Sequence, residues 1–248
     1  MLFDRLTFGY RRGRAVLKDF TWEVPPGRTV LLGPNGAGKS TLLAIGADAE
    51  QPWSGTVLID GLTPRRFHPA RGRYRRLVGW MPQHIRVVPG MTGREQVAYA
   101  GWLKGLSRRE AWDAAGTAMA MVGLSGIEDK RASTYSGGQQ RRLGLAQAIV
   151  HRPRVLLLDE PTVGLDPAQR QRFRAIMQSA SDQPGLTVIA STHQVDDLSD
   201  LYDTVAVLHS GVLRFAGPTA DFLAAGSGKD QTRTVEAAYA RLIGEDQS

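Results

Sequence analysis

Short apolar runs separated by glycine-bearing polar turns fill the first part of the chain, a pattern that predicts strands. Leu2–Tyr10 alternates loosely, Phe20–Val24 reads as a short strand, and Pro25-Pro26-Gly27 as a turn. Arg28–Leu32 is a compact apolar strand that runs into a segment too rich in glycine for helix or strand, and from Ser40 the pattern turns helical. Val57–Ile59 and Leu77–Met81 predict two further strands. From about Thr92 to Val122 the chain becomes alanine-rich and helical, which reads as an insertion, and Gly137–Val150 predicts another helix. Val155–Leu158 is apolar at every position, as a strand buried on both faces of a parallel sheet should be. Thr187–Ala190 and Thr204–Leu208 read alike, with Pro167–Ser179 helical between Val155–Leu158 and Thr187–Ala190. Strands alternating with helices predict α/β layers around a parallel core. Gly226-Ser227-Gly228 reads as a hinge before a weakly amphipathic helix over Val235–Ile243.

The glycine-rich segment, Gly33-Pro34-Asn35-Gly36-Ala37-Gly38-Lys39-Ser40, has the spacing of a phosphate-binding loop between a strand and a helix. Small residues let backbone N–H groups turn inward around phosphate oxygens, and the helix that follows points its positive end at the same anion. Lys39 is placed to reach the β- and γ-phosphates and Ser40 to bind Mg²⁺. Asp159-Glu160 ends the strand Val155–Leu158, at the carboxyl end that faces the ligand crevice of an open α/β sheet. That makes Asp159 a candidate Mg²⁺ ligand and Glu160 the group that polarises an attacking water. His193 follows another strand end and is a candidate γ-phosphate contact, although a lone histidine is more often structural. Tyr135-Ser136-Gly137-Gly138-Gln139 precedes a helix and repeats the same physics, a second anion site in one chain.

Composition narrows the class. The 248 residues, 42% hydrophobic and 22% charged, suit one large domain or one with an inserted subdomain. No apolar run approaches the roughly 18 residues that cross a bilayer, and MLFDRLTFGY carries Asp4 and Arg5 where a secretion signal needs an apolar stretch. The absence of cysteine excludes disulfides, thiolate zinc sites and cysteine nucleophiles. A net charge of +7 points to an anionic partner without choosing among nucleic acid, phosphate ligands and a membrane face. Arg65, Arg66, Arg71, Arg73, Arg75 and Arg76 cluster with no acidic residue among them. A solvated surface is the simpler reading of that cluster; contact with acidic lipid headgroups is the functional one.

Taken together, these motifs resemble the nucleotide-binding subunit of an ATP-binding cassette (ABC) transporter. The resemblance runs from about Leu2 to Pro218 through six elements in order: the loop at 33–41, Gln83 after LVGWMP, YSGGQ at 135–139, LLLDEP at 156–161, GLD at 164–166 and STH at 191–193. It implies a P-loop NTPase fold, α/β with a mostly parallel sheet, an N-terminal antiparallel β subdomain and an inserted α-helical subdomain. The implied division of the single domain is 1–85 and 150–220 for the nucleotide-binding core, 86–149 for the helical subdomain and 221–248 for the tail. It implies that two copies pair head to tail, each ATP lying between the phosphate loop of one (Gly33, Asn35, Gly36, Ala37, Gly38, Lys39, Ser40 and Thr41) and Ser136, Gly137, Gly138 and Gln139 of the other. By the same resemblance Tyr10 stacks on adenine, with Phe3 and Phe8 left to the core. Gln83 contacts Mg²⁺ or water and senses the membrane partner, and Asp166 links the two sites. Glu160 is the general base and His193 the γ-phosphate switch. One position departs from the family pattern: Tyr135 stands where the signature usually opens with Leu.

The implied role is ATP hydrolysis coupled to transport through a separate membrane-spanning permease, with the cassette cytoplasmic on the inner face of the membrane and no nucleic acid expected. DEPTVGLDP, the helical stretch at 91–111 and the short tail look most like bacterial ABC-2-type exporter subunits. The rival reading is a single-cassette soluble ATPase acting on a protein assembly or nucleic acid.

Overall fold

The structure is a computed structural model that describes residues 1–64, 69–181, 185–192, 201–226 and 238. Strand β1 (Leu2–Phe8) sits between β2 (Leu17–Glu23) and β4 (Ser54–Leu58), antiparallel to both. These three strands form the expected N-terminal β subdomain. The larger sheet has six strands in the order β5 (Val78–Met81), β6 (Val155–Asp159), β7 (Thr187–Thr192), β3 (Arg28–Leu32), β8 (Thr204–His209) and β9 (Val212–Pro218). All neighbours are parallel except β8 and β9. Sequence periodicity missed β9 because it is an edge strand, half-buried on one face and exposed on the other, with no dense apolar run.

The continuous apolar strands face two cores, and their side chains divide with period two. Leu156 and Leu158 of β6, with Val188 and Ala190 of β7 and Val30 and Leu32 of β3, pack toward one core. Val155, Leu157, Ile189 and Leu31 pack toward the other, against Phe3, Phe8 and Phe20 of the small sheet. Helix α1 (Lys39–Gly46) fills the second core with Leu42, Leu43 and Ile45.

After α2 (Ala70–Leu77), the helical subdomain consists of α3 (Gly93–Leu103) and α4 (Arg108–Met121), and it packs with α5 (Gly137–Ile149) on the first core. Each of α3, α4 and α5 begins on a capping box, in which the side chains of Thr92 and Glu95, Ser107 and Glu110, and Ser136 and Gln139 satisfy each other's backbone N–H groups. These boxes stop the helices from fraying at their first turns. Helices α6 (Pro167–Ser181) and α7 (Thr219–Gly226), with a short 3-10 helix at Ala132–Thr134, complete the described elements.

The arginine cluster needs correcting. Its residues at 70–77 form α2, and there Arg71 and Arg75 each donate from Nε to Asp48 Oδ2, at 2.7 and 2.5 Å. The Asp48 side chain is fully buried at the end of α1, so these two arginines neutralise an interior carboxylate. Asp48 lies more than twenty residues away in sequence, which hid the pairing. Arg73, Arg75 and Arg76 are exposed, as the surface reading expects, while Arg65 and Arg66 lie outside the described residues. The terminal helix expected over Val235–Ile243 also lies outside them, apart from Ala238, which is buried. Among the described residues, no helix is long and apolar enough to cross a membrane.

Candidate functional site

Strands β3, β7 and β6 are parallel neighbours in register, so their carboxyl ends open onto one crevice. After β3 the chain must turn sharply into α1. Gly38 caps that helix with φ 106°, a left-handed conformation that glycine adopts without strain. A Cβ at Gly33 would lie 2.2 Å from the Leu208 carbonyl oxygen, so the loop crosses β8 only because that side chain is missing. Ala37 is buried in the loop, where its N–H donates to Pro34 O at 3.2 Å.

Lys39 begins α1 and is only 6% exposed. Its ammonium donates to Gly33 O at 2.6 Å and Pro34 O at 3.2 Å, and lies 4.0 Å from Glu160 Oε1. Burial lowers its pKa, opposed by the charges of Glu160 and Asp159. Ser40 Oγ donates to Asp159 Oδ1 at 2.9 Å. Ser191, fully buried near the end of β7, donates to the same oxygen at 2.7 Å and accepts from the Glu160 N–H at 2.9 Å. Glu160 itself has φ 47°, unusual outside glycine, and that backbone is held in place by the Ser191 bond. Lys39, Ser40, Asp159 and Glu160, from two distant segments, therefore converge as the sequence predicted.

A hard divalent cation fits this donor set, because the Ser40 hydroxyl and the Asp159 carboxylate already share one position. Among the described residues there is no group of three or more acidic or histidine side chains that could hold a metal. Phosphate oxygens and water would have to supply most of the remaining ligands.

Gln83 and Asp159 line a cavity of about 590 Å³ together with Trp80, Arg86 and Gln147. The Gln83 carbonyl oxygen accepts from Arg141 Nη1 at 2.5 Å, and Arg141 Nη2 reaches Val163 O at 3.2 Å. Arg141 thus ties the segment at Gln83 to the loop after Glu160. Its burial lowers its pKa, with the negative charges of Asp159 and Glu160 acting the other way. Sequence reasoning singled out neither Arg141 nor Ser191. Ser191 lies within the STH element at 191–193, whose candidate residue is His193, and Arg141 works through backbone carbonyls that no motif marks.

Tyr10 is 67% exposed and leans edge-on against Phe8, with centroids 5.2 Å apart. Its hydroxyl shares a hydrogen bond of 3.1 Å with Thr41 Oγ1, so the ring stands beside the start of α1. With Arg11, Arg14, Val16, Gly36 and Ser210 it lines a second cavity of about 590 Å³. Phe3 and Phe8 are buried, as expected. Asn35 is exposed on the loop.

The Ser136–Gln139 segment is not joined to the phosphate loop by any described hydrogen bond or ion pair. Ser136 caps α5, its hydroxyl accepting from Gln139 N–H at 3.3 Å, and Gly137 is exposed in the first turn. Asp166 caps the start of α6, its carboxylate accepting from the Gln169 N–H at 2.8 Å and Nε2 at 2.5 Å. The Gln169 Oε1 lies 2.2 Å from where a Cβ on Gly138 would stand, so Asp166 and the Ser136 loop are neighbours within one chain. His193 lies outside the described residues.

Known proteins resemble this chain in sequence and fold. Residues 17–163 match the ABC transporter family. The chain is 37% identical over 215 residues to the uncharacterized ABC transporter ATP-binding protein YxlF of Bacillus subtilis, covering 86% of this chain and 69% of that protein. It is 37% identical over 199 residues to the sulfate/thiosulfate import ATP-binding protein CysA of Mycobacterium tuberculosis, covering 80% of this chain and 56% of CysA, little more than half its length. The fold is that of the dimeric ATP-binding cassette MJ0796 bound to ADP and Pi, with a TM-score of 0.77 at 24% identity, over 88% of this chain and 98% of that one. On the family match and the identity to YxlF, the chain belongs to the ABC transporter family as an ATP-binding, ATP-hydrolysing cassette.

Proposed function

We propose that two copies of this cassette close head to tail around two ATP molecules, and that closure drives a separate membrane-spanning subunit. The observation that carries this reading is the convergence of buried Lys39, Asp159 and Glu160 with the exposed Ser40 at three parallel strand ends. Adenine stacks on Tyr10, and the triphosphate enters the loop from Gly33 to Thr41. The Lys39 N–H groups then pass from Gly33 O and Pro34 O to phosphate oxygens. Ser40 and Asp159, with Gln83 alongside, would hold Mg²⁺, whose charge would offset that of the phosphates. Ser136–Gln139 of the second copy presents the N-terminus of α5 to the same γ-phosphate. Asp166, tied to that loop through Gln169, lies where the two sites meet.

Glu160 takes a proton from water as the water oxygen bonds to the γ-phosphorus. The bond from that phosphorus to the β,γ-bridging oxygen breaks, and ADP leaves with the electron pair. His193 follows Thr192 at the end of β7 and is assigned the γ-phosphate contact that reports the bond's cleavage. A Glu160→Gln variant should keep ATP binding while steady-state turnover falls by at least about 100-fold, the low end for general-base removal. Turnover near that of the unaltered protein would reject the assignment.

The membrane subunit is assigned to the outer face of the helical subdomain. Tyr99, Trp102 and Trp112 are exposed there, beside a cavity of about 680 Å³ that also includes Met91 and Ala98. Such an aromatic surface suits an apolar partner helix. This docking would hold the cassette on the inner face of the membrane. The stretch at 91–111 and the run DEPTVGLDP support an ABC-2-type exporter subgroup, whereas CysA is named for import. Transport by the reconstituted complex, assayed from each side of a vesicle, decides the direction.

A further inference from the structure

Tyr135, immediately before the capping serine of α5, is buried against the first turn of α3. A Cβ built on Gly93 would stand 2.1 Å from the Tyr135 hydroxyl oxygen, 2.8 Å from its Cζ and 2.9 Å from Met119 Cε. The phenol therefore fills the space that any side chain at 93 would need. Its hydroxyl donates to Ile127 O at 2.7 Å. Burial raises the phenol's pKa, with Glu128 and Asp129 adding to the effect, so the hydroxyl remains a donor at neutral pH.

The chain between Ile127 and Tyr135 is laced to the start of α3. Gly93 N–H donates to Lys130 O at 3.1 Å, Arg94 N–H to Glu128 O at 3.0 Å, and Ala132 N–H to Met91 O at 3.0 Å. Helix α3 is tied in turn to the segment that leaves Gln83. The buried Gln96 side chain donates to Arg86 O and accepts from Val88 N–H, both at 3.0 Å. On the other side, Gln140 Nε2 donates to Tyr135 O at 3.1 Å. A continuous run of polar contacts thus leads from the Gln83 segment to the Ser136 loop, and Tyr135 is its last link.

We propose that Tyr135 is a positioning residue, seated in the notch left by Gly93, whose hydroxyl sets how the Ser136–Gln139 loop meets ATP held by a second copy. The inference rests on the head-to-tail reading above. It also accounts for the departure at the signature's first position: the larger side chain is matched by an absent one on α3.

The test uses the full chain in a Glu160→Gln background, where hydrolysis does not drain the closed state. Dimer formation against ATP concentration is followed by sedimentation, with ATP affinity of the dilute monomer and the thermal midpoint measured alongside. Tyr135→Phe keeps the ring and removes the hydroxyl. It should leave monomer affinity unchanged, lower the midpoint by the few degrees that one lost hydrogen bond costs, and weaken ATP-dependent dimerisation by about fivefold, the full worth of that bond. Gly93→Val should expel the ring and lower both the midpoint and dimerisation. Adding Tyr135→Leu to it should restore the midpoint but not dimerisation. Unchanged dimerisation with Phe, or recovery of dimerisation in the double variant, would overturn the role of the hydroxyl alone. If the Glu160→Gln parent itself stays monomeric at saturating ATP, the head-to-tail reading fails and takes this inference with it.

Discussion

Two glycine-bearing loops in this molecule lead into helix N-termini, and they are built in opposite ways. The loop before α1 has a buried base under an exposed crest: Gly33, Ala37 and Lys39 are buried, Pro34, Asn35 and Gly36 are exposed, and Lys39 and Ser40 reach groups on their own loop and on β6. The loop before α5 is largely exposed, and Ser136 and Gln139 satisfy only each other. The first brings a cation, two carboxylates and a serine together within one chain, the groups that the proposed reading uses to hold the triphosphate. The second offers a helix dipole and small residues with no charge of its own. Both motifs have the local form of an anion site, but only the first is complete in a single copy. The difference teaches that a helix N-terminus becomes a nucleotide site through what surrounds it, and on the proposed reading the surroundings of the second come from another copy.

Lys39→Ala is the sharpest test of the asymmetry. Removing the ammonium leaves Glu160 and Asp159 facing the phosphates unopposed. ATP affinity of the monomer should fall by about 100-fold, the upper worth of a hydrogen bond to a charged group. Calorimetric titration at low protein concentration measures it directly. If affinity instead survives, the α1 loop is no more a complete site than the α5 loop, and the contrast dissolves.

The backing of the two helices differs as well. Helix α5 rests on Leu143, Leu145 and Ala146, all buried in the apolar core. The end of α1 rests on Asp48 and its arginines, and α2 leads from there to a second polar group. Lys104 Nζ donates to Arg75 O and Val78 O, and His151 Nε2 lies 3.1 Å from the same Val78 oxygen. Burial, with Lys104 nearby, pushes the His151 pKa down to about 4 from 6.5. Unfolded chains therefore take up a proton below pH 6.5 that the fold refuses until about pH 4. His151 accordingly stabilises fully above 6.5 and loses that contribution as pH falls toward 4, about 3 kcal/mol in all. Urea unfolding of the parent and a His151→Gln variant at pH 7, 5.5 and 4.5 should show the parent losing its advantage across that window. Parallel curves would mean that the buried imidazole just after α5 does not make the fold sensitive to acid.

The elements easiest to read from sequence are those specified locally. The strand β6 is apolar at every core position, and the 33–41 loop has its spacing. The convergence of Ser40 with Asp159 was legible because both follow strands whose carboxyl ends must face one crevice. Features that depend on a distant partner were not legible. Asp48 neutralises Arg71 and Arg75 across a turn that no periodicity records. Arg141 bridges Gln83 and Val163 through carbonyl oxygens, which every residue possesses. The match between Gly93 and Tyr135 spans more than forty residues, and a missing side chain gives no signal until its space is seen to be filled.

The smallest expected effect separates the two loops most cleanly. Ser136→Ala removes the acceptor for the Gln139 N–H and breaks half of one capping box. The cost to stability is about 1 kcal/mol, typical of an N-cap. It lies far in the sequence from the phosphate loop and is joined to it by no described hydrogen bond, so ATP affinity of the dilute monomer should not change. Turnover should nevertheless fall by about tenfold, since the hydroxyl lost from one copy is a hydrogen bond lost from the γ-phosphate of the other. Plotting turnover against protein concentration distinguishes the outcomes. A variant deficient only in dimer closure recovers as concentration rises, whereas one deficient in its own nucleotide site does not. Loss of monomer affinity comparable to that of Lys39→Ala would mean that Ser136 serves the nucleotide of its own chain, and the two loops would then be halves of one site rather than of two.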